Sequence, residues 1–291
     1  MSIPESQLTT WSHQGSITNS AATANSIKEA LKYYNGFPSN ITFDVYLSGS
    51  YKNDTNIYGE SDVDVVVELT STFYYNISAQ QAAGLSIEPA TYGFNDFKKS
   101  VIRCLEQKFG SSNVEIGNKA IVVHPGTSNR LYADVLVCSS YRHYTALSYN
   151  SYINGIGFIP QNSFSVVKNF PKIHSDKDTE KHQQTYSRFK PTVRIFKNMK
   201  KMLVNQGIID SKLAPSYFIE CLLFNVPNNQ FVNENSRTIY NILNYLNNNS
   251  WKGFMCVNGI NPLCGVSSET WDLASAMEFQ RQCVKLWDEW D

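Results

Sequence analysis

The stretch "SGSYKNDTNIYGESDVDVVVEL", residues 48–69, joins a glycine–serine turn to two aspartates at the start of an apolar strand. Side chains alternate along a strand, so Asp62 and Asp64 lie on the same face. Neighbouring carboxylates repel each other unless a proton or a cation lies between them, and Mg²⁺ prefers hard oxygen ligands. Gly49 allows a backbone to approach a phosphate closely, and Ser50 adds a hydroxyl donor. The stretch therefore predicts a phosphate-binding turn followed by a metal-binding carboxylate pair.

A third carboxylate stands in another apolar strand. Asp134 lies within "RLYADVLVC", residues 130–138, where an isolated charge is costly unless it is paired or bound to a metal. Three aspartates on adjacent strands can hold two metal ions roughly 3.5–4 Å apart. A D-x-D pair by itself is more often a solvated strand start, and the preceding Gly49–Ser50 is what favours a metal site here.

Hydrophobic spacing separates a part of the chain with strands from a part with helices. The predicted elements are helices at 18–34 and 90–110, strands at 41–47, 62–69, 130–138, 155–160 and 164–170, a hairpin at 113–126, and helices at 178–207, 214–226, 236–249 and 267–290. Pro191 predicts a kink or boundary in the first of the later helices, and a Ser-x-Glu signal at 267–269 predicts the start of the last. The fold class is α+β: a mixed β-sheet lobe with a long N-terminal helix over residues 1–170, then a helical lobe over 171–291.

The composition excludes several classes of protein. Its 25 Lys and Arg residues balance 25 Asp and Glu residues, whereas proteins that grip the nucleic-acid backbone carry a surplus of positive charge. Hydrophobic residues make up 42% of the chain, so a sizeable core is expected. The first residues lack the basic and apolar segments of a signal peptide, and no apolar run reaches the length of a membrane span. We expect a cytoplasmic protein without membrane association.

The six cysteines predict buried free thiols, because they form no C-x-x-C pair and four of them lie in apolar segments. The alternative is a metal site built from Cys256, Cys264 and a histidine. No second ligand pair has zinc spacing, which weighs against that alternative.

The segment "GSYKNDTNIYGESDVD" resembles the G-S and D-x-D signature of the DNA polymerase β-like nucleotidyltransferases, and "ADV" at 133–135 resembles their third aspartate. The blocks "LTTWSHQGS", "NKAIVVHPG", "VVKNFPKIH", "FKPTVRIFKNMK" and "APSYFIECLLFNVP" resemble the bacterial CD-NTases, the cGAS/DncV-like nucleotidyltransferases that make cyclic oligonucleotide signals in anti-phage (CBASS) defence. The resemblance runs from about residue 6 to near the C-terminus. It implies a polymerase β-like catalytic lobe, with the active site in the cleft between that lobe and the helical one.

The resemblance implies that the enzyme joins nucleoside triphosphates (ATP, GTP or UTP) into a cyclic di- or trinucleotide and releases pyrophosphate. It implies that Asp62, Asp64 and Asp134 are the catalytic residues and hold two Mg²⁺ or Mn²⁺ ions. It also implies that Gly49 and Ser50 contact the triphosphate. Ring closure rests on the resemblance alone.

Three residues of the helical lobe match the family's nucleotide contacts. Lys197 corresponds to a lysine that contacts the donor triphosphate, with Lys200 and Lys201 as other candidates for the same role. Ser216 and Tyr217 open a helix after a proline and correspond to a phosphate contact and a base-stacking ring. From the residues alone, the basic side chains would form a solvated helix face, Ser216 an N-cap and Tyr217 a part of the core.

Asn169 lies in "VVKNFPKIH", which resembles the lid near the base pocket. Its amide can donate to and accept from the edge of a base, which would favour uracil over a purine. An asparagine that only forms the turn before Phe170–Pro171 is an equal alternative.

The expected partners are nucleoside triphosphates and a separate effector protein that reads the cyclic product. The animal relative that senses DNA carries a zinc insertion, whereas residues 175–215 contain His182 and no cysteine, so we expect no DNA activator. We expect a monomer. The alternatives left open are a nucleotidyltransferase acting on a drug, protein or RNA acceptor, and a catalytically inactive nucleotide sensor.

Overall fold

The computed structural model describes residues 2–15, 17–59, 62–126, 130–267 and 269–290. The chain forms two compact units. The sheet unit comprises Ser16–Tyr51 and Ser61–Pro171, and the helical unit comprises Met1–Gly15, Lys52–Glu60 and Lys172–Asp291.

The sheet unit is built on a seven-stranded mixed sheet in the described part of the chain. Its strands are β1 (Phe43–Leu47), β2 (Val63–Tyr75), β3 (Val114–Ile116), β4 (Ile121–Val123), β5 (Ala133–Tyr144), β6 (Tyr152–Phe158) and β7 (Val167–Asn169). The main path runs β1-β2-β5-β4-β3, and β6 joins β5 to β7. The pair β2 and β5 is parallel, and all the other pairs are antiparallel. The two strands that carry the predicted aspartates are therefore direct neighbours.

Ten α-helices complete the described structure: α1 (Glu5–Ser12), α2 (Thr18–Lys32), α3 (Gly49–Asn53), α4 (Ala79–Gly84), α5 (Phe94–Phe109), α6 (Pro171–Gln184), α7 (Phe189–Asn205), α8 (Ser216–Phe224), α9 (Asn235–Asn248) and α10 (Leu273–Asp288). In the sheet unit, α2 and α5 pack against each other and against the sheet. Ile27, Leu31, Phe97 and Val101 are fully buried there, and each pair is four residues apart on one face of its helix.

One helix predicted over 178–207 is in fact two. The chain leaves α6 after Gln184 and enters α7 at Phe189, and Tyr186 and Ser187 between them adopt positive φ angles of 51° and 64°. Left-handed residues cannot continue a right-handed helix. Pro191 lies in the first turn of α7, where its missing N–H costs no hydrogen bond, so the predicted boundary falls near this proline.

The last helix starts later than the Ser-x-Glu signal at 267–269 indicated. It begins at Leu273, and the carboxylate of Asp272 caps it by accepting from Ser275 N at 2.8 Å. Ser268 lies outside the described residues. An aspartate is as good an N-cap as a serine, and here it stands directly before the apolar periodicity.

The helical unit has its own core around α7. Val193, Phe196, Met199 and Leu203 are buried along one face of this helix, which packs against α1, α8, α9 and α10. Leu8 of α1 is fully buried in the same core. The N-terminal residues and the segment 52–60 thus pack with the helices, although the sequence analysis had grouped them with residues 1–170. The division of function between the two lobes stays a prediction.

All six cysteines, which lie within the described residues, are free thiols, and five of them are buried. Among the described residues, Cys256 and Cys264 do not lie together with further side chains that could bind a metal ion. None of the helices in the described part of the chain is both long and apolar enough to cross a membrane.

Replacing Leu8 with Ala should lower the free energy of unfolding by about 2–5 kcal/mol, because it leaves a cavity in the core of the helical unit. Urea unfolding followed by circular dichroism measures the change. Leu147, which is exposed, provides the control, and Leu147→Ala should change stability by less than about 0.5 kcal/mol. Equal stabilities of Leu8→Ala and Leu147→Ala would mean that the N-terminal helix is not part of this core.

Candidate active site

The turn between β1 and α3 is shaped around the carboxylate of Asp64. Gly49, the first residue of α3, has a φ of +62°, and a Cβ at this position would lie 1.9 Å from Asp64 Oδ2. The backbone N–H of Ser48 donates to the carbonyl oxygen of Asp64 at 2.9 Å. A side chain at Gly49 would therefore suffer both backbone strain and a collision with the carboxylate. The glycine allows the carboxylate to lie against this turn.

The sheet register brings the second and third aspartates side by side. Asp64 of β2 is paired with Asp134 of the parallel strand β5. Asp62 lies two residues before Asp64, at the exposed end of the strand. Burial and the negative charge of Asp62 both raise the pKa of Asp134. The carboxylates of Asp62 and Asp134 thus repel each other electrostatically, which is the situation that a bound cation relieves.

The donor set fits a hard divalent cation, because all three residues offer carboxylate oxygens at one end of two adjacent strands. In the structure the ligand atoms of these three residues do not come together in one cluster. Among the described residues, a cluster of possible ligand atoms is formed by His174, Asp178 and Glu220. The role of the three aspartates as metal ligands therefore stays a prediction.

The basic residues of α7 contact the segment 54–58, within the helical unit. Lys197 is only 3% exposed, and its Nζ donates to the carbonyl oxygen of Thr55 at 2.9 Å. Lys201 Nζ donates to the carbonyl oxygen of Tyr58 at 2.9 Å, and Arg194 donates to that of Asp54. Lys197 is buried in this contact, so the interpretation as a solvated face is wrong for it, whereas Lys201 is exposed. Contact of Lys197 with a triphosphate stays a prediction.

Ser216 and Tyr217 begin α8 as predicted. Pro215 occupies the N-cap position, so Ser216 is the first residue inside the helix and not its cap. The Tyr217 ring lies 4.8 Å from the His174 ring and 5.5 Å from the Trp271 ring, centroid to centroid, at interplanar angles of 33° and 38°. Burial, together with the Cys221 thiol, raises the pKa of Tyr217, so its phenol stays protonated. The ring is held in an aromatic stack and is only partly buried.

Asn169 ends β7, where it pairs with Ile156 of β6. Its Oδ1 accepts from the backbone N–H of Phe170 at 2.8 Å. This contact matches the interpretation of a turn-forming asparagine. The role in reading a base stays a prediction.

A buried charged group in the helical unit was missed by the sequence analysis. His174 Nε2 lies 2.7 Å from Glu220 Oε2 and 3.0 Å from Asp178 Oδ2, and all three side chains are buried. A tetrahedral ion with bonds near 2.0 Å separates its ligand atoms by roughly 3.3 Å, which is longer than either distance. We therefore interpret the group as an imidazolium between two carboxylates. Burial tends to lower the pKa of His174, but hydrogen bonds to Asp178 and Glu220 outweigh it and raise the pKa to about 10.

The signal that could have revealed this group was the carboxylate in "FIECLLF", residues 218–224. A single charge in an apolar helix needs a partner, by the argument that was applied to Asp134. His174 and Asp178 are spaced i, i+4, so a single helix face brings them together.

The known proteins to which this chain is similar agree with one another in their family. The model of the cGAS/DncV-like nucleotidyltransferase C-terminal helical domain matches residues 176–288. A cyclic UMP-AMP synthase of Rhodothermus marinus is 41% identical over 295 residues, which span 100% of this chain and 99% of the relative. A cyclic nucleotide synthase, CdnE01, of Staphylococcus haemolyticus is 39% identical over 306 residues, with 100% of each chain covered.

Structural comparison agrees with these relatives. The solved structure of the Rhodothermus marinus CdnE c-UMP-AMP synthase with Apcpp and Upnpp superposes with a TM-score of 0.92 at 42% identity, covering 99% of this chain and 97% of that one. The predicted fold class, an α+β nucleotidyltransferase fold with a mixed sheet and a helical C-terminal part, is confirmed.

Replacing Gly49 with Ala should lower the free energy of unfolding by more than the same change at Gly207. Both glycines have positive φ angles, of 62° and 69°, but a Cβ at Gly207 meets nothing within 4 Å. Gly207→Ala should lower the free energy of unfolding by about 1 kcal/mol, from backbone strain alone. Gly49→Ala should lower it by about 1–3 kcal/mol more, because Asp64 must also move. Urea unfolding of both variants measures the difference. Equal losses would show that Asp64 does not lie against Gly49.

Replacing His174 with Gln should remove a stabilising contribution that depends on pH. The folded-state pKa of about 10 lies above the ordinary value near 6.5. The contribution is therefore fully present below about pH 6.5 and is lost as the pH rises through 10. We expect the difference in unfolding free energy between the wild type and His174→Gln to shrink by a few kcal/mol between about pH 6 and pH 10.

Lys181 titrates in the same range, because burial lowers its pKa to about 8. It is present in both proteins, so its effect cancels in the difference. A difference that stays constant across this pH range would contradict an imidazolium held between Asp178 and Glu220.

Proposed function

The chain belongs to the cGAS/DncV-like nucleotidyltransferases and is an enzyme of the cyclic nucleotide synthase type, and we propose that it joins nucleoside triphosphates into a cyclic dinucleotide with release of pyrophosphate. The observation that carries this proposal is the pairing of Asp64 with Asp134, next to a glycine whose backbone lies against the Asp64 carboxylate. The full-length similarity to a cyclic UMP-AMP synthase supports the same reaction.

In the proposed mechanism, Asp62, Asp64 and Asp134 would hold divalent cations, either Mg²⁺ or Mn²⁺. Such ions, when bound, would neutralise charge on the α-phosphate and acidify the attacking hydroxyl. A ribose hydroxyl of the acceptor nucleotide gives its proton to water and forms a bond to the α-phosphorus of the donor. The bond to the leaving pyrophosphate breaks in line. A second attack on the triphosphate of the linear product closes the ring, with one pyrophosphate released for each bond formed.

The proposed triphosphate contacts are Gly49, Ser50, Lys197 and Ser216. The turn offers backbone N–H groups and a hydroxyl, and the first residue of α8 offers the N–H groups and positive end of a helix. Lys197 contributes only if its ammonium group bonds to a phosphate in addition to the carbonyl oxygen of Thr55, or in place of it.

The proposed base contacts are Tyr217, through its partly buried ring, and Asn169, through its side-chain amide. We propose uridine and adenosine as the bases incorporated, because the Rhodothermus marinus relative is a cyclic UMP-AMP synthase and its solved structure contains Apcpp and Upnpp. The Asn169 amide can pair with the donor and acceptor on the uracil edge. Two further parts of the proposal follow from the family: action in anti-phage signalling in the cytoplasm, and an effector protein that binds the product.

Replacing both Asp62 and Asp64 with Asn should lower the rate of product formation by about a hundredfold or more, because the acidic ligands are lost. The assay incubates the protein with α-labelled nucleoside triphosphates and Mg²⁺ or Mn²⁺, omitting one base at a time. Phosphatase treatment and mass spectrometry then identify the products. Asp44→Asn, at an exposed position on β1, is the matched control and should keep its activity.

The outcomes separate the alternatives. A phosphatase-resistant product made by the wild type and absent from the double variant supports the proposal, and the omitted base that stops its formation names its composition. A nucleotide attached to another molecule would identify a different acceptor. Binding of nucleotides without any product would favour the inactive sensor.

A further inference from the structure

The Glu220 carboxylate is the centre of a buried hydrogen-bond network in the helical unit. Its Oε1 accepts from Thr55 Oγ1 at 2.6 Å, and its Oε2 lies 3.2 Å from Asn53 Nδ2 and 2.7 Å from His174 Nε2. Glu220, Thr55, Asn53 and His174 are all buried. Every donor around this carboxylate comes from outside its own helix, α8.

Burial of this carboxylate needs a reason beyond stability. Burial tends to raise the pKa of Glu220, but hydrogen bonds from His174 and Thr55 and the charge of Lys197 outweigh it and lower the pKa, so Glu220 stays ionised. Replacing buried ion pairs with well-packed apolar residues is often neutral or stabilising. A network of this kind is therefore better explained by the geometry it fixes than by the stability it adds.

One side of the network fixes a chain segment next to the glycine–serine turn. Asn53 is the last residue of α3, the helix that begins with Gly49 and Ser50. The next residue, Asp54, has a positive φ of 55°, which costs free energy and persists only where neighbouring contacts enforce it. Lys190 Nζ bonds to Asp54 Oδ2 at 2.8 Å, and Thr55 bonds to Glu220. The segment 53–55 is thus held in one conformation by side chains of the helical unit.

The other side of the network fixes the neighbour of Tyr217. The His174 ring, held between Glu220 and Asp178, packs against the Tyr217 ring at 4.8 Å. Glu220 lies three residues after Tyr217 in the same helix. One carboxylate therefore connects the segment that follows Ser50 with the ring proposed to stack on a base.

We propose that Glu220 is a positioning residue for nucleotide binding: through Thr55 and Asn53 it holds the segment that follows the glycine–serine turn, and through His174 it holds the ring beside Tyr217. This inference rests on the proposed function, which supplies the roles of the turn and of Tyr217. Glu220 acts through these neighbours and does not itself touch the substrate.

Thr55→Val tests the inference, because it removes one buried hydroxyl and keeps the shape of the side chain. The matched control is Thr238→Val. Thr238 is also buried, and its hydroxyl joins α9 to the loop at Val232, with which it shares two hydrogen bonds of 2.9 and 3.0 Å. Thr55→Ser, which restores the hydroxyl, is the rescue variant. Glu220→Gln keeps the shape of the carboxylate and removes its charge.

Two measurements are made on the full chain of each variant. Amide hydrogen exchange reports whether residues 53–59 open, and titration with non-hydrolysable ATP and UTP analogues gives the Kd. Steady-state kinetics with ATP and UTP then separates KM from kcat. Urea unfolding ranks the variants by stability, so that a general loss of folding can be recognised.

Thr55→Val and Glu220→Gln should increase exchange at residues 53–59 by about ten- to a hundredfold, the factor for losing a hydrogen bond to a charged group. Kd and KM should rise about tenfold with kcat changed by less than about twofold, and Thr55→Ser should recover most of the loss. Thr238→Val should lose comparable stability and keep both Kd and KM.

Unchanged Kd and KM in Thr55→Val and Glu220→Gln would overturn the inference and leave the proposed function intact if the wild type makes a cyclic product. Equal increases in Thr238→Val would also overturn it, because the effect would then follow stability alone. A wild type that binds the analogues and makes no cyclic product would overturn the proposed function, while the binding comparison would still decide the inference. Failure of the wild type to bind either analogue would overturn both.

Discussion

The repulsion between carboxylates on two neighbouring parallel strands is the constraint on which the candidate site depends. Asp64 and Asp134 face each other in register, and Asp62 adds a third negative charge two residues away. A nearby negative charge makes a carboxylate harder to ionise, and here burial and the charge of Asp62 raise the pKa of Asp134. The turn at Gly49 increases the crowding further, since its backbone approaches one of these carboxylates more closely than any side chain would allow. Such an arrangement has a physical explanation when the charges are shared with a cation and a phosphate.

The strands and the aspartates could be predicted because their signals are local. Valines alternating after Asp62, a glycine directly after an apolar strand and a lone charge within another strand each have one simple explanation in physical terms. That β2 and β5 lie next to each other is harder to predict, since pairing between strands far apart in the sequence depends on the whole sheet. The family resemblance supplied that arrangement, and the register confirms that the two strands are adjacent.

The residues that were misjudged depend on contacts between distant parts of the chain. The spacing of Arg194, Lys197 and Lys201 indicates a charged helix face, but it does not show that these side chains bond to carbonyl oxygens of residues 54–58. A boundary was predicted at Pro191, but its position at Tyr186 and Ser187 was not, because these are not residues that usually adopt a left-handed conformation. Glu220 had a visible signal, an acidic residue in an apolar helix, and its partners from α6 and from residues 53–55 could not be identified without the structure.

The helical unit is assembled from three separated pieces of the chain, Met1–Gly15, Lys52–Glu60 and Lys172–Asp291. During synthesis the first two pieces leave the ribosome long before the third, which carries the helices α7 and α9 and the Glu220 carboxylate that they contact. The buried Leu8 and Thr55 must therefore remain exposed while the intervening sheet residues are made, and the sheet unit is the part of the chain that can fold first. The order of assembly follows, with the sheet unit formed early and the helical unit completed only when the C-terminal residues emerge. Truncation at the C-terminus would leave the N-terminal helix and the segment 52–60 without the core they require, so loss of the helical unit cannot be confined to the residues removed.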